Sequence, residues 1–117
     1  MHWLKQQLGS TVTTITAQDA QLKIAAQPAA WVLDVREPEE FKTGHIAGAT
    51  LIPLGELSER MSAIPREREV LCVCLSGARS LAAARQLSAA GFKVLNLQGG
   101  LIAWQRAQLP LKPGAAG

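Results

Sequence analysis

The sequence predicts an α/β protein, an open and mainly parallel sheet with helices on both faces. Two observations carry this. Short apolar runs alternate with helical patterns from one end of the chain to the other, which is the pattern of repeated βα units. The runs are also continuously apolar, as in Trp31-Val32-Leu33-Asp34-Val35, which suits strands covered on both sides.

Each element has its own local reason. Val12 to Ile15 forms a short strand, and Thr16 caps a helix running to about Ala26, with Asp19 three residues on as in a capping box. Trp31 to Val35 is the second strand. Pro38 suits the first turn of a short helix that carries Glu39 and Glu40 near its positive end. Thr50 to Ile52 is the third strand, Leu54 to about Ile64 a helix, and Val70 to Cys74 the fourth strand. Arg79 to Ala90 has Leu81, Ala84 and Leu87 on one face and Gly91 as its stop. Val94 to Leu97 is the fifth strand; Gly99-Gly100 then turns into a last helix reaching about Gln108, ended by Pro110. The tail Lys112 to Gly117 has nothing to pack against and is expected to be disordered.

Composition bounds the answer. At 117 residues, 48% of them hydrophobic and 18% charged, the chain is expected to be a single domain, residues 1–117 with a core at about 12–108. Such a chain buries about two thirds of its unfolded surface. A net charge of +3, spread singly over the chain, is too diffuse for a nucleic-acid footprint, though it favours small anions modestly. Two cysteines one residue apart make no disulfide framework, and two distant histidines offer no zinc spacing. The thiols are expected to be reduced. Met1 to Gln7 lacks a signal-peptide core and no apolar stretch approaches a membrane span, so the expected setting is cytoplasmic.

One segment carries chemistry. Cys74-Leu75-Ser76-Gly77-Ala78-Arg79-Ser80 follows the fourth strand and opens a helix, so a thiol stands where unpaired amide N–H groups converge. A free thiol ionises near pH 8.5, and such a position, with a guanidinium nearby, lowers that value by about one unit or more. A fall of about two units would make roughly three quarters of the thiol a ready nucleophile at neutral pH. Ser76, Gly77, Ala78 and Ser80 are small enough to let consecutive amides turn inward, and Gly77 accepts a positive φ. In open sheets ligands gather beyond the carboxyl ends of strands, where Cys74 and the Asp34 to Arg36 segment both fall.

This loop, with Asp34-Val35-Arg36-Glu37-Pro38-Glu39-Glu40-Phe41, Gly44-His45-Ile46-Ala47-Gly48-Ala49 and Gly99-Gly100-Leu101-Ile102-Ala103-Trp104, resembles the single-domain rhodaneses over about Thr14 to Trp104. Four motifs in the family's order and spacing carry the likeness. It implies a sulfurtransferase whose Cys74 takes sulfur from thiosulfate, a persulfide or a polysulfide and passes it to cyanide or a thiol. Leu75, Ser76, Gly77, Ala78 and Arg79 would cradle the persulfide, with Arg79 attracting anions and Asp34 and Arg36 behind the loop. No metal or organic cofactor is implied, and the partners would be a small anionic donor and a thiol or protein acceptor, with no nucleic acid and no membrane.

The loop's length bears on the alternatives. Cys74 to Arg79 is CxxxxR, whereas phosphatases resembling the cell-cycle dual-specificity type have one residue more. The shorter ring suits a sulfane sulfur better than a phosphate with three equatorial oxygens. A phosphatase or arsenate reductase and a non-catalytic rhodanese-like binding module remain the other classes; such modules commonly lack the cysteine. Some thiosulfate-active relatives place a basic residue at one of the two positions after the cysteine, and here these are Leu75 and Ser76.

The remaining residues are given structural roles. Cys72 lies about 6.6 Å from Cys74 along the strand, near the upper limit for a disulfide, and reads as core packing. Arg36 is expected to pair with Glu39 or Glu40 to fix the turn. His45 reads as a structural hydrogen-bonder, Trp31 and Trp104 as core, and Trp3 as a terminal anchor or an exposed residue.

Overall fold

The computed structural model describes residues 12–116, so the expectations on Met1 to Gln7, Trp3 included, lie outside the described residues. Five strands form one sheet: β1 (Thr13–Ile15), β2 (Trp31–Asp34), β3 (Thr50–Leu51), β4 (Val70–Val73) and β5 (Val94–Leu97). Their order is β1-β5-β4-β2-β3 and every pairing is parallel. The chain runs outward from β2 to β3, then returns to lay β4 on the other side of β2. The crevice between the carboxyl ends of β2 and β4 is therefore the point at which the winding reverses. Asp34 and Val73 lie opposite each other there.

Side-chain alternation divides the core in two. Val70, Cys72 and Cys74 point into one layer with Leu33, Ala83, Ala84 and Leu87, whereas Leu71 and Val73 point into the other with Ala17, Ala20, Leu101 and Trp104. Helices α1 (Ala17–Ala25) and α5 (Gly100–Arg106) cover the second layer, and α4 (Ala78–Ala89) covers the first. Thr16 caps α1 by accepting the Asp19 N–H at 3.1 Å. Trp104 is buried and satisfies its indole N–H on the Pro110 carbonyl at 2.9 Å. Trp31 is half-buried against the first layer.

Two expectations are corrected. The single helix over Leu54 to Ile64 is instead a 3-10 turn (Leu54–Glu56), one turn of α-helix, α3 (Leu57–Arg60), and a second 3-10 turn (Met61–Ala63). The apolar residues Leu54, Leu57, Met61 and Ile64 are spaced three, four and three apart, and the backbone tightens wherever the spacing is three, so that each of them packs on the core. Second, the tail is tied down at Lys112 and Gly114 rather than free. His45 and Lys112 exchange backbone hydrogen bonds of 3.0 and 2.7 Å, the Gly114 N–H donates to the Lys42 carbonyl at 3.1 Å, and Leu111 packs on the second layer. What anchors this segment is backbone pairing to the stretch after α2 (Pro38–Phe41), which side-chain composition does not report.

Candidate active site

Cys74 follows the last residue of β4 and is 1% exposed. Gly77 turns the loop back with φ +108°, a left-handed conformation that a side chain disfavours. Its N–H donates to Cys74 Sγ at 3.0 Å. The loop is held from behind by the start of α5, where the N–H groups of Leu101 and Ile102 donate to the carbonyls of Cys74 and Leu75 at 2.9 and 3.1 Å. This approach needs Gly100, since a Cβ there would press against the Leu75 carbonyl and stand 2.6 Å from that of Cys74. A motif distant in sequence thus braces the Cys74 loop.

Ser80 lies directly beneath the thiol. It is fully buried, with Oγ 3.3 Å from Cys74 Sγ, 3.2 Å from the Gly77 carbonyl and 2.6 Å from Asn96 Oδ1. Asn96 is the polar residue of the apolar strand β5. Val94 packs on the first layer while Leu95 and Leu97 pack on the second, so alternation turns Asn96 to the face that Cys74 shares. Burial alone would push the Cys74 thiol up. The hydrogen bond shared with the Ser80 hydroxyl and those donated by the N–H groups of Ser80, Gly77 and Ser76 outweigh it, and the thiol ionises below its ordinary value. Cys72, sealed in the first layer, is pushed up to about 12 by burial, with the charge of Cys74 adding to it. Two thiols on one strand face are thus shifted in opposite directions.

The charged residues are paired differently from the sequence expectation. Arg36 does not pair with the Glu39 or Glu40 carboxylate; it forks onto buried Asp34, with Nη2 at 2.8 Å, and donates to the carbonyls of Gly44 and Glu40. Burial decides the partner, because an isolated Asp34 carboxylate, 1% exposed, would be costly. Glu39 pairs with Lys42. The Glu40 carboxylate instead takes Arg79 in a two-pronged pair of 2.8 and 2.9 Å, which holds the acid down at about 2. Arg79, expected to be the second influence on the thiolate, is turned to Glu40, and the side chain that bonds the thiol is Ser80.

Leu75 is exposed at 41% and sits at the mouth of the loop beside Ile102, 36% exposed; Ser76 and Ala78 are exposed. His45 is a structural hydrogen-bonder, stacked on Phe41 at 3.7 Å with Nδ1 2.9 Å from the Phe41 carbonyl. Among the described residues no three metal-ligating side chains cluster, and no helix is long and apolar enough to cross a membrane. Sequence reasoning missed the contacts that bring Glu40, Ser80 and Asn96 to the Cys74 loop. The one available signal was Asn96, a polar residue inside an apolar strand.

This arrangement is a rhodanese fold around a cysteine anion cradle. The Rhodanese-like domain family model matches residues 16–107, and the chain belongs to that family. It is 39% identical to a sulfurtransferase of Allochromatium vinosum over 86% of this chain and 94% of that one. A putative sulfurtransferase of Bacillus subtilis, YtwF, is 36% identical over 75% of this chain and 85% of its own. The crystal structure of a rhodanese-related protein from Thermoplasma volcanium superposes with a TM-score of 0.80 at 35% identity, covering 86% of this chain and 97% of that one.

Proposed function

We propose that this chain is a sulfurtransferase that carries a sulfane sulfur on Cys74 as a persulfide. One observation carries the reading: the Cys74 thiol, lowered in pKa, stands at the start of a tight loop and takes hydrogen bonds from the Gly77 N–H at 3.0 Å and from Ser76 and Ser80. The sulfurtransferase names of its relatives support it.

The Cys74 thiolate attacks the outer sulfur of the donor. A new S–S bond forms as the donor's S–S bond breaks, and its electron pair leaves with sulfite if the donor is thiosulfate, or with a thiolate if it is an organic persulfide or polysulfide. Charge balances in each case. In this reading the amides of Leu75, Ser76, Gly77 and Ala78 would surround the terminal sulfur. Cyanide in an assay, or the thiol of a small molecule or protein, then takes that sulfur and regenerates the thiolate, so the kinetics are ping-pong. The steps use no metal and no organic cofactor. The setting we propose is cytoplasmic, where thiols stay reduced.

Mass spectrometry of the intact protein after exposure to thiosulfate, and separately to an alkyl persulfide, tests this. The expected result is one added sulfur, located on Cys74 and removed by a reducing thiol or cyanide. Turnover of a phosphate ester or arsenate without a persulfide would move the chain to the phosphatase or arsenate reductase class. Folded protein inert to every donor would be a binding module.

A further inference from the structure

Resting on the sulfur-transfer reading, we propose that Glu40 is a specificity-determining residue. By holding Arg79 it withdraws the cation of the Cys74 loop from the donor and turns the site toward organic persulfides or polysulfides rather than thiosulfate.

The pair joins positions 39 residues apart, and the acid arrives preorganised. Glu40 closes the capping box of α2, its carboxylate accepting the Glu37 N–H at 3.0 Å, and its carbonyl accepts Arg36, which buried Asp34 fixes in turn. Each carboxylate oxygen takes one guanidinium nitrogen, at 2.8 and 2.9 Å, the fork geometry that fits these two groups best. A pair so closed offers little net charge to an approaching dianion. Beside it the mouth of the loop is apolar: Leu75 and Ile102 are exposed at 41% and 36% and are adjacent, because the Ile102 N–H donates to the Leu75 carbonyl. Thiosulfate, with two negative charges and no apolar part, gains little there. An organic persulfide or polysulfide brings less charge per sulfur and an apolar substituent for Leu75 and Ile102.

Glu40→Gln is the diagnostic variant, because glutamine serves the capping box as glutamate does and keeps α2 formed. Steady-state rates with cyanide as acceptor would be measured for thiosulfate and for an alkyl persulfide, at low and moderate salt. The KM for thiosulfate is expected to fall roughly three- to tenfold at low ionic strength and the gain to shrink as salt rises, with kcat nearly unchanged. The KM for the alkyl persulfide should move by less than about twofold. Glu39→Gln removes the same charge one residue away, from a carboxylate that faces Lys42, and should produce no gain. In an Arg79→Gln background the Glu40→Gln gain should vanish, since the freed cation is gone. The proposal is overturned if Glu40→Gln leaves thiosulfate KM unaltered at low salt, if Glu39→Gln reproduces the gain, or if the gain survives without Arg79. Should wild-type protein form no Cys74 persulfide with either donor, the sulfur-transfer reading itself fails, and this proposal with it.

Discussion

Removing the Ser80 hydroxyl tests the account of the thiol most directly. Among the influences that lower the Cys74 pKa, the hydroxyl stands ahead of the N–H groups of Ser80, Gly77 and Ser76. A hydrogen bond to a charged group is worth about 1.5–3 kcal/mol. The contact here is 3.3 Å long and ends on sulfur, so the lower end applies. Ser80→Ala should therefore raise the pKa of Cys74 and cut its thiolate fraction at neutral pH by roughly tenfold. The assay is the rate of iodoacetamide alkylation against pH in a Cys72→Ser background. Only the midpoint is diagnostic, because a residue 1% exposed alkylates slowly at every pH. The wild-type midpoint should lie below the value of about 8.5 for a free thiol, and the variant clearly above the wild type. The Ser80 proton goes to Asn96 Oδ1 at 2.6 Å while Cys74 is a thiol and turns to sulfur when Cys74 ionises, so below the Cys74 midpoint Ser80→Ala should also cost about 1–3 kcal/mol of stability in urea denaturation. Coincident midpoints in the two folded proteins would show that Ser80 does not tune the thiol, and a wild-type midpoint at or above about 8.5 that the loop donors do not lower it.

Cys74→Ser should abolish sulfur transfer while Cys72→Ser keeps most of it, as read by cyanide-dependent thiocyanate release; equal losses in two folded variants would point to a two-cysteine redox mechanism. Because burial raises the Cys72 pKa from 9.0 to about 12, its contribution to stability is complete below pH 9 and is lost as the pH rises toward 12. Wild type should therefore lose about 2 kcal/mol more than Cys72→Ala between pH 9 and about 10.5, measured by urea titration at each pH. Leu75→Arg places an unpaired cation at an exposed position of the mouth and should lower the thiosulfate KM several-fold at low salt, whereas a small residue inserted beside Ala78 should move the Gly77 N–H away from Sγ and cut turnover. An insertion without effect on steady-state rates would contradict the cradle geometry.

Local sequence patterns were enough for the fold class and for the place of the Cys74 thiol. Strand character, helix caps and stops are local properties: Thr16, Pro38, Gly77 and Gly91 act on the few residues around them, and the continuous apolar runs of β2 and β4 require cover on both sides. Cys74 stands at a strand-to-helix junction for the same local reason. Partner choice is not local. That Arg79 meets Glu40, that Arg36 meets Asp34, and that Ser80 and Asn96 support the thiol all follow from β4 lying between β2 and β5. Several carboxylates lie within sequence reach of each arginine, and only the order of the strands and the depth of burial choose among them. The same holds for the broken helix after β3 and for the tail tied at Lys112 and Gly114, where long-range packing and backbone pairing decide what local propensity leaves open.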